Sequence, residues 1–246
     1  WVADHRIASE VVMPLTAYLE ALLAAARQVT PGVSTLDQVE VGEPMPLLAG
    51  QSRTMQVVVD RAGRTSRLRL FSRDSDAGHE PWAQHASCHA GGSTGLSADS
   101  GDEEALASIA TRLPDDVEVG PFYAKLAELG VDFGPQFRAM RLVKAGDGEA
   151  IGEIDAAPLL AATRDPYFVH PAVLDACLHV SAVVMDRLPG ADDGRMFLPI
   201  GVDRFVWFSH PEGILRSHAR VRPPAARGDM LVFDVRIETS DGRPVA

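Results

Sequence analysis

Two cysteines among 246 residues are too few for a disulfide framework, and Cys88 and Cys177 lie far apart in apolar-looking segments, as reduced thiols of a reducing cytosol would. Neither has a CxxC partner, and the eight histidines form no HExxH or similar pair on one helical face, so no zinc site is expected. No apolar run reaches the length of a membrane span and no basic-then-apolar leader opens the chain, which predicts a soluble, cytoplasmic protein with no membrane partner. Positive charge is also scarce. The 23 basic and 34 acidic side chains leave a net charge of −11, so most of the exterior would repel nucleic acid.

What remains is an ordinary globular composition, 46% hydrophobic and 23% charged, with enough chain to bury a core as one large domain or as two packed halves. Residues 15–28, LTAYLEALLAAARQ, set Leu19, Leu22, Leu23 and Ala26 at helical spacing behind Pro14, whose fixed φ suits a helix entry. Alternating runs then predict strands at 36–41, 54–60, 65–73 and 82–90. The Gly-, Ser- and acid-rich stretch 91–105 has no apolar period and reads as a linker. Beyond it, PFYAKLAELG reads as a short helix closed by Gly130, and a hairpin is expected to turn at 146–148. HPAVLDACLHVSAVVMDRL reads as a second long apolar helix with Pro171 in its first turn, followed by strands near 203–209, 215–222 and 230–238. A long helix with strands therefore occurs twice, an α+β duplication of architecture with halves at 1–95 and 113–246 and a linker at 96–112.

Within the second helix Asp175 sits among Val173, Leu174, Ala176, Cys177 and Leu178, where poor solvation disfavours a charged carboxylate. His179 follows at i+4, on the same face. A structural, ion-paired aspartate on the helix seam is the competing reading. His5 is an isolated histidine, a type more often found on the surface or satisfied in a core. It nevertheless feeds directly into the first helix, beside the free N–H groups near Leu15 and Thr16, which could polarise a carbonyl.

His5 and its spacing to Pro14, GVDFGPQF at 130–137, HPAVLDACLH at 170–179 and FLPIGVDRF at 197–205, with WAQHAS at 82–87, together resemble the dehydratase domains of modular type I polyketide synthases. Those domains carry HxxxGxxxxP, GYxYGPxF, an LPF-type motif and DxxxQ or DxxxH in this order. The resemblance spans nearly the whole chain. It implies a double hot-dog fold, with His5 as catalytic base, Asp175 as catalytic acid and His179 as the residue orienting that acid across a shared tunnel. It also places Pro14, Leu15, Val131, Phe133, Gly134 and Pro135 with His179 around the substrate. The activity implied is that of a hydro-lyase, loss of water from a β-hydroxyacyl thioester. No cofactor is implied; the substrate rides on the phosphopantetheine of an acyl carrier protein. Flanking ketosynthase, acyltransferase or ketoreductase domains are the other implied partners, a homodimer is left open, and the chain reads as a section of a longer polypeptide.

Several positions depart from the pattern. Ser9 stands where the motif has glycine, a change expected to be neutral if φ stays negative, and Leu15 adds bulk beside the carbonyl site. Val131 and Phe133 replace two tyrosines, which removes two hydroxyls and enlarges the pocket. Packing drift is one reading of that change. The other is a pocket in which the dehydrated product folds back and a distal hydroxyl adds to the new double bond, as in pyran-forming dehydratase-cyclases. A non-catalytic carrier-binding domain, an enoyl isomerase and a thioester hydrolase are the alternatives of different class. Arg138, Arg141 and Lys144 are a candidate basic surface for an acidic carrier, against the bland reading of solvated strand charges.

Overall fold

Two long helices, each too apolar to stand in water, organise the chain. The computed structural model describes residues 1–63, 65–76, 81–92, 104–163, 167–188, 197–223 and 230–246. In chain order the elements are β1 (His5–Ile7), β2 (Glu10–Val11), α1 (Leu15–Val29), β3 (Val33–Val41), β4 (Arg53–Ala62), β5 (Thr65–Asp74) and β6 (Ala83–Gly92). There follow α2 (Leu106–Arg112), β7 (Asp115–Asp116), α3 (Val119–Glu128), β8 (Val131–Phe133), β9 (Met140–Gly146), β10 (Glu149–Asp155) and α4 (Ala157–Ala162). The chain ends with α5 (Pro171–Asp186), β11 (Gly201–Val206), β12 (Ile214–Val221) and β13 (Phe233–Thr239).

Every strand pairing among the described residues is antiparallel. One sheet, ordered β11-β3-β6-β5-β4, wraps α1, and a second, β13-β12-β10-β9-β7, wraps α5. Strand alternation drives the wrapping: in β5, Ser66, Leu68, Leu70 and Ser72 are buried while Thr65 and Arg67 are exposed. α5 begins with Pro171 at its first turn, and the imidazole of His170 accepts the Ala172 N–H at 3.2 Å, capping the helix. α3 ends where Gly130 takes φ +87, a conformation that glycine adopts without penalty. This is the double hot-dog architecture.

The halves are stitched together by exchanged strands. β11 follows α5 in the chain yet pairs with β3, aligning Phe205 with Leu36, and β8 pairs with β1, aligning His5 with Phe133. One continuous core accordingly contains Leu19 and Leu22 of α1 together with Val173 and Val180 of α5. Of the expected linker, residues 93–103 lie outside the described residues, whereas Leu106–Arg112 form α2, whose Leu106 and Ile109 pack with Ile151 of β10. Among the described residues no helix is long and apolar enough to cross a membrane.

Candidate active site

His5 is positioned by a hairpin. β1 and β2 turn at Ala8 and Ser9, both at positive φ, 50° and 70°, between the paired Ile7 and Glu10. This two-residue turn matches the twist of the strands it joins. It corrects the expectation for Ser9, whose φ is not negative: a serine occupies a left-handed position that favours glycine. The hairpin brings Val12 back to His5, where the Val12 N–H donates to the His5 carbonyl at 3.1 Å and the Val12 carbonyl oxygen lies 2.8 Å from His5 Nδ1. A carbonyl oxygen only accepts. Nδ1 of the buried ring therefore carries a hydrogen, and in the neutral tautomer with this contact the lone pair is on Nε2.

The partner strand of β1 is held by the first residues of the chain. The Gly134 N–H donates to the Asp4 carbonyl at 2.7 Å, and the Gln136 N–H donates to Asp4 Oδ2 at 2.9 Å. A Cβ on Gly134 would fall 2.4 Å from Asp4 Cγ, so the close approach requires glycine. Phe133 packs its ring against His5 at 5.5 Å and against His179 at 4.1 Å between centroids.

Asp175 belongs to α5 and is 9% exposed. Its Oδ2 lies 2.9 Å from His179 Nε2, and Thr16 Oγ1 of α1 donates to its Oδ1 at 3.4 Å. Two further side chains that no sequence motif marks hold this region, Tyr123 in contact with the pair and Glu20 at the approach to α5. Tyr123 of α3 places its hydroxyl 3.1 Å from His179 Nδ1 and 3.4 Å from the Phe137 carbonyl. Glu20 of α1 accepts the Phe168 and Val169 N–H groups at 2.9 and 3.0 Å, tying the approach to α5 onto α1. Burial raises the Glu20 pKa above the ordinary carboxyl value.

His5, Pro14, Leu15, Val131, Phe133, Asp175 and His179 all line one cavity of about 1500 Å³, and Phe197–Gly201 line it as well. Pro14 is the N-cap of α1 and Leu15 its first residue. Gly134 and Pro135 do not line the cavity: Gly134 is half-buried against Asp4 and Pro135 is exposed, and both form the turn after β8. Each of the three cations considered as a basic surface faces an acid, Arg138 with Asp132 at 3.4 Å, Arg141 with Asp155, and Lys144 with Asp116 at 3.6 Å. The face is thus a set of ion pairs rather than a positive patch. Cys88 and Cys177 are both buried, free thiols, and burial pushes the Cys88 thiol up to about 12.

A family model described as polyketide synthase dehydratase N-terminal domain matches residues 101–246, and one described as polyketide synthase dehydratase domain matches residues 1–73. The chain is 33% identical to the mycoketide-CoA synthase of Mycobacterium tuberculosis over 98% of its own length. It is 34% identical to polyketide synthase GfsE of Streptomyces halstedii over 73% of its length. It spans only 5% of each of those two proteins. Among solved structures it is similar to the dehydratase domain from the CurJ module of the curacin polyketide synthase, with a TM-score of 0.86, 20% identity and coverage of 99% of this chain and 83% of that one. It is likewise similar to the CurK dehydratase, of which a histidine-to-phenylalanine variant, with a TM-score of 0.83, 19% identity and coverage of 100% and 83%, is described as inactive. An aspartate-to-asparagine variant of the same domain is described as inactive too.

Proposed function

The chain belongs to the polyketide synthase dehydratase family, and from that premise we propose that it removes water from a β-hydroxyacyl thioester, with His5 as general base and Asp175 as general acid. The observation that carries this reading is that the two residues, one from each half, line a single cavity. The loss of function at one histidine and one aspartate of the CurK dehydratase supports the same pairing of residue types. His5 Nε2 takes the α-proton of the thioester, and as the β-hydroxyl departs it is protonated by Asp175, giving the α,β-unsaturated thioester and water. The N–H groups of Leu15 and Thr16 at the start of α1 stabilise the enolate-like oxygen. The substrate is carried on the phosphopantetheine arm of an acyl carrier protein, within a polyketide synthase whose other domains flank this one.

A cyclase activity is the second reading, favoured by the place of the two departures from tyrosine. Val131 and Phe133 pair with Ile7 and His5 and face the cavity beside the base. In it a distal hydroxyl adds to the β-carbon, Asp175 taking the hydroxyl proton and His5 returning one to the α-carbon.

The test is product analysis of the unmodified protein with a β-hydroxyacyl pantetheine thioester and with a homologue bearing a distal hydroxyl. The expected product of the first is the unsaturated thioester with the thioester bond intact. Release of the free acid would favour hydrolysis, migration of an existing double bond without water loss would favour isomerisation, and unchanged substrate would leave a carrier-binding domain. A ring formed only from the second substrate supports cyclisation, and an open-chain enoyl product rejects it.

A further inference from the structure

Asp175 bonds to an imidazole whose other nitrogen is also engaged. His179 Nε2 lies 2.9 Å from Asp175 Oδ2, and its Nδ1 lies 3.1 Å from the Tyr123 hydroxyl. The array is buried: Tyr123 is 4% and His179 6% exposed. A neutral imidazole has one N–H, and which nitrogen holds it is decided by the neighbours. The Tyr123 hydroxyl has two acceptors in reach, His179 Nδ1 at 3.1 Å and the Phe137 carbonyl at 3.4 Å, and the shorter contact favours donation to Nδ1. Burial above all holds the phenol above its ordinary range, so the hydroxyl keeps its proton. The Arg138 guanidinium stands over the Tyr123 ring, 5.4 Å from its centre, and donates to the Phe133 carbonyl at 2.5 Å.

The consequence lies on the carboxyl group. With Nδ1 accepting from Tyr123, the imidazole hydrogen stands on Nε2 and is donated to Oδ2. A proton carried by Asp175 then sits on Oδ1, the oxygen away from His179. In the opposite tautomer Nε2 becomes an acceptor, draws the carboxyl proton onto Oδ2, and locks it in the Asp175–His179 bond where a substrate hydroxyl cannot take it.

We propose that Tyr123 is a positioning residue: its hydroxyl fixes His179 as the Nε2–H tautomer and thereby places the transferable proton of Asp175 on Oδ1. This rests on Asp175 being the general acid. In the transfer the Asp175 Oδ1–H bond breaks as the O–H bond of the departing water forms. The carboxylate left behind accepts from His179 Nε2–H and from the Thr16 hydroxyl, and no proton passes through Tyr123.

Tyr123→Phe removes one oxygen and keeps the ring. Its kcat for dehydration should fall by about tenfold or more with KM unchanged. Nitrogen NMR of the unmodified protein, recorded without substrate, should show His179 protonated on Nε2, and Tyr123→Phe should give a tautomer mixture. His179→Gln offers Asp175 an amide donor that has no tautomer to fix, so adding Tyr123→Phe in that background should bring no further loss. An equal loss in both backgrounds, or a wild-type His179 protonated on Nδ1, would overturn the proposal. Because the tautomer is read without turnover, failure here is distinguishable from failure of the dehydratase reading.

Discussion

Ser9 holds a left-handed conformation that its side chain disfavours by about 1–2 kcal/mol. Glycine there would relieve the strain and give back part of the gain to unfolded-chain entropy. Ser9→Gly should therefore stabilise the fold by about 0.5–1 kcal/mol, read as a higher urea midpoint, and a midpoint that stays or falls would contradict the turn geometry. At this scale the reach of the sequence is uneven. His5, Asp175 and His179 were legible because each stands at a fixed spacing within its own short segment. The i+4 step between Asp175 and His179 becomes a 2.9 Å contact by helix geometry alone. Tyr123 was not legible, because it meets His179 across 56 residues and from a different helix. Nor was the role of Gly134, since the atom that excludes a side chain there belongs to Asp4.

Elements were readable where their contacts are local. The apolar stripes of α1 and α5, the β9–β10 hairpin at Gly148, and the neighbouring strands β4, β5 and β6 follow from periodicity and turn residues. β11 shows the limit. Alternation marks it as a strand, and the tendency of consecutive strands to pair would set it beside β12, yet it pairs with β3 in the other sheet. That choice depends on tertiary packing. Its first residue, Gly201, lies so close to β3 that a Cβ would stand 2.6 Å from the Val39 carbonyl oxygen, an atom fixed in the backbone. Gly201→Ala should force the exchanged strand outward and cost about 1–3 kcal/mol in denaturant unfolding. A neutral result would mean that β11 is not seated as described.

For the molecule as a whole, two helix-and-sheet halves were visible in the sequence, but the exchange that makes them share one core and one cavity was not. Its buried titratable groups set a stability window. Burial lowers the His85 and His218 pKa values below 6.5, so the unfolded chain takes up protons first as pH falls through that value. Arg112 holds Glu149 at about 2, which adds a loss below 4.5, and the raised Glu20 opposes it only in part. At the other end, burial raises Cys88 and Tyr18 to about 12, so stability falls once the unfolded thiol ionises near 9. The urea midpoint should be highest between about pH 6.5 and 9 and decline on both sides; a midpoint rising on acidification below that window would contradict these assignments. The central claim is that one imidazole and one carboxyl, brought to a common cavity by the two halves, carry the elimination together. Mass measurement of the acyl chain after incubation with His5→Ala and with Asp175→Asn, each verified as folded by its unfolding midpoint, tests it most directly. The account predicts that both variants return the β-hydroxyacyl chain intact while the unmodified protein removes one water, and dehydration at the unmodified rate by either variant would contradict it.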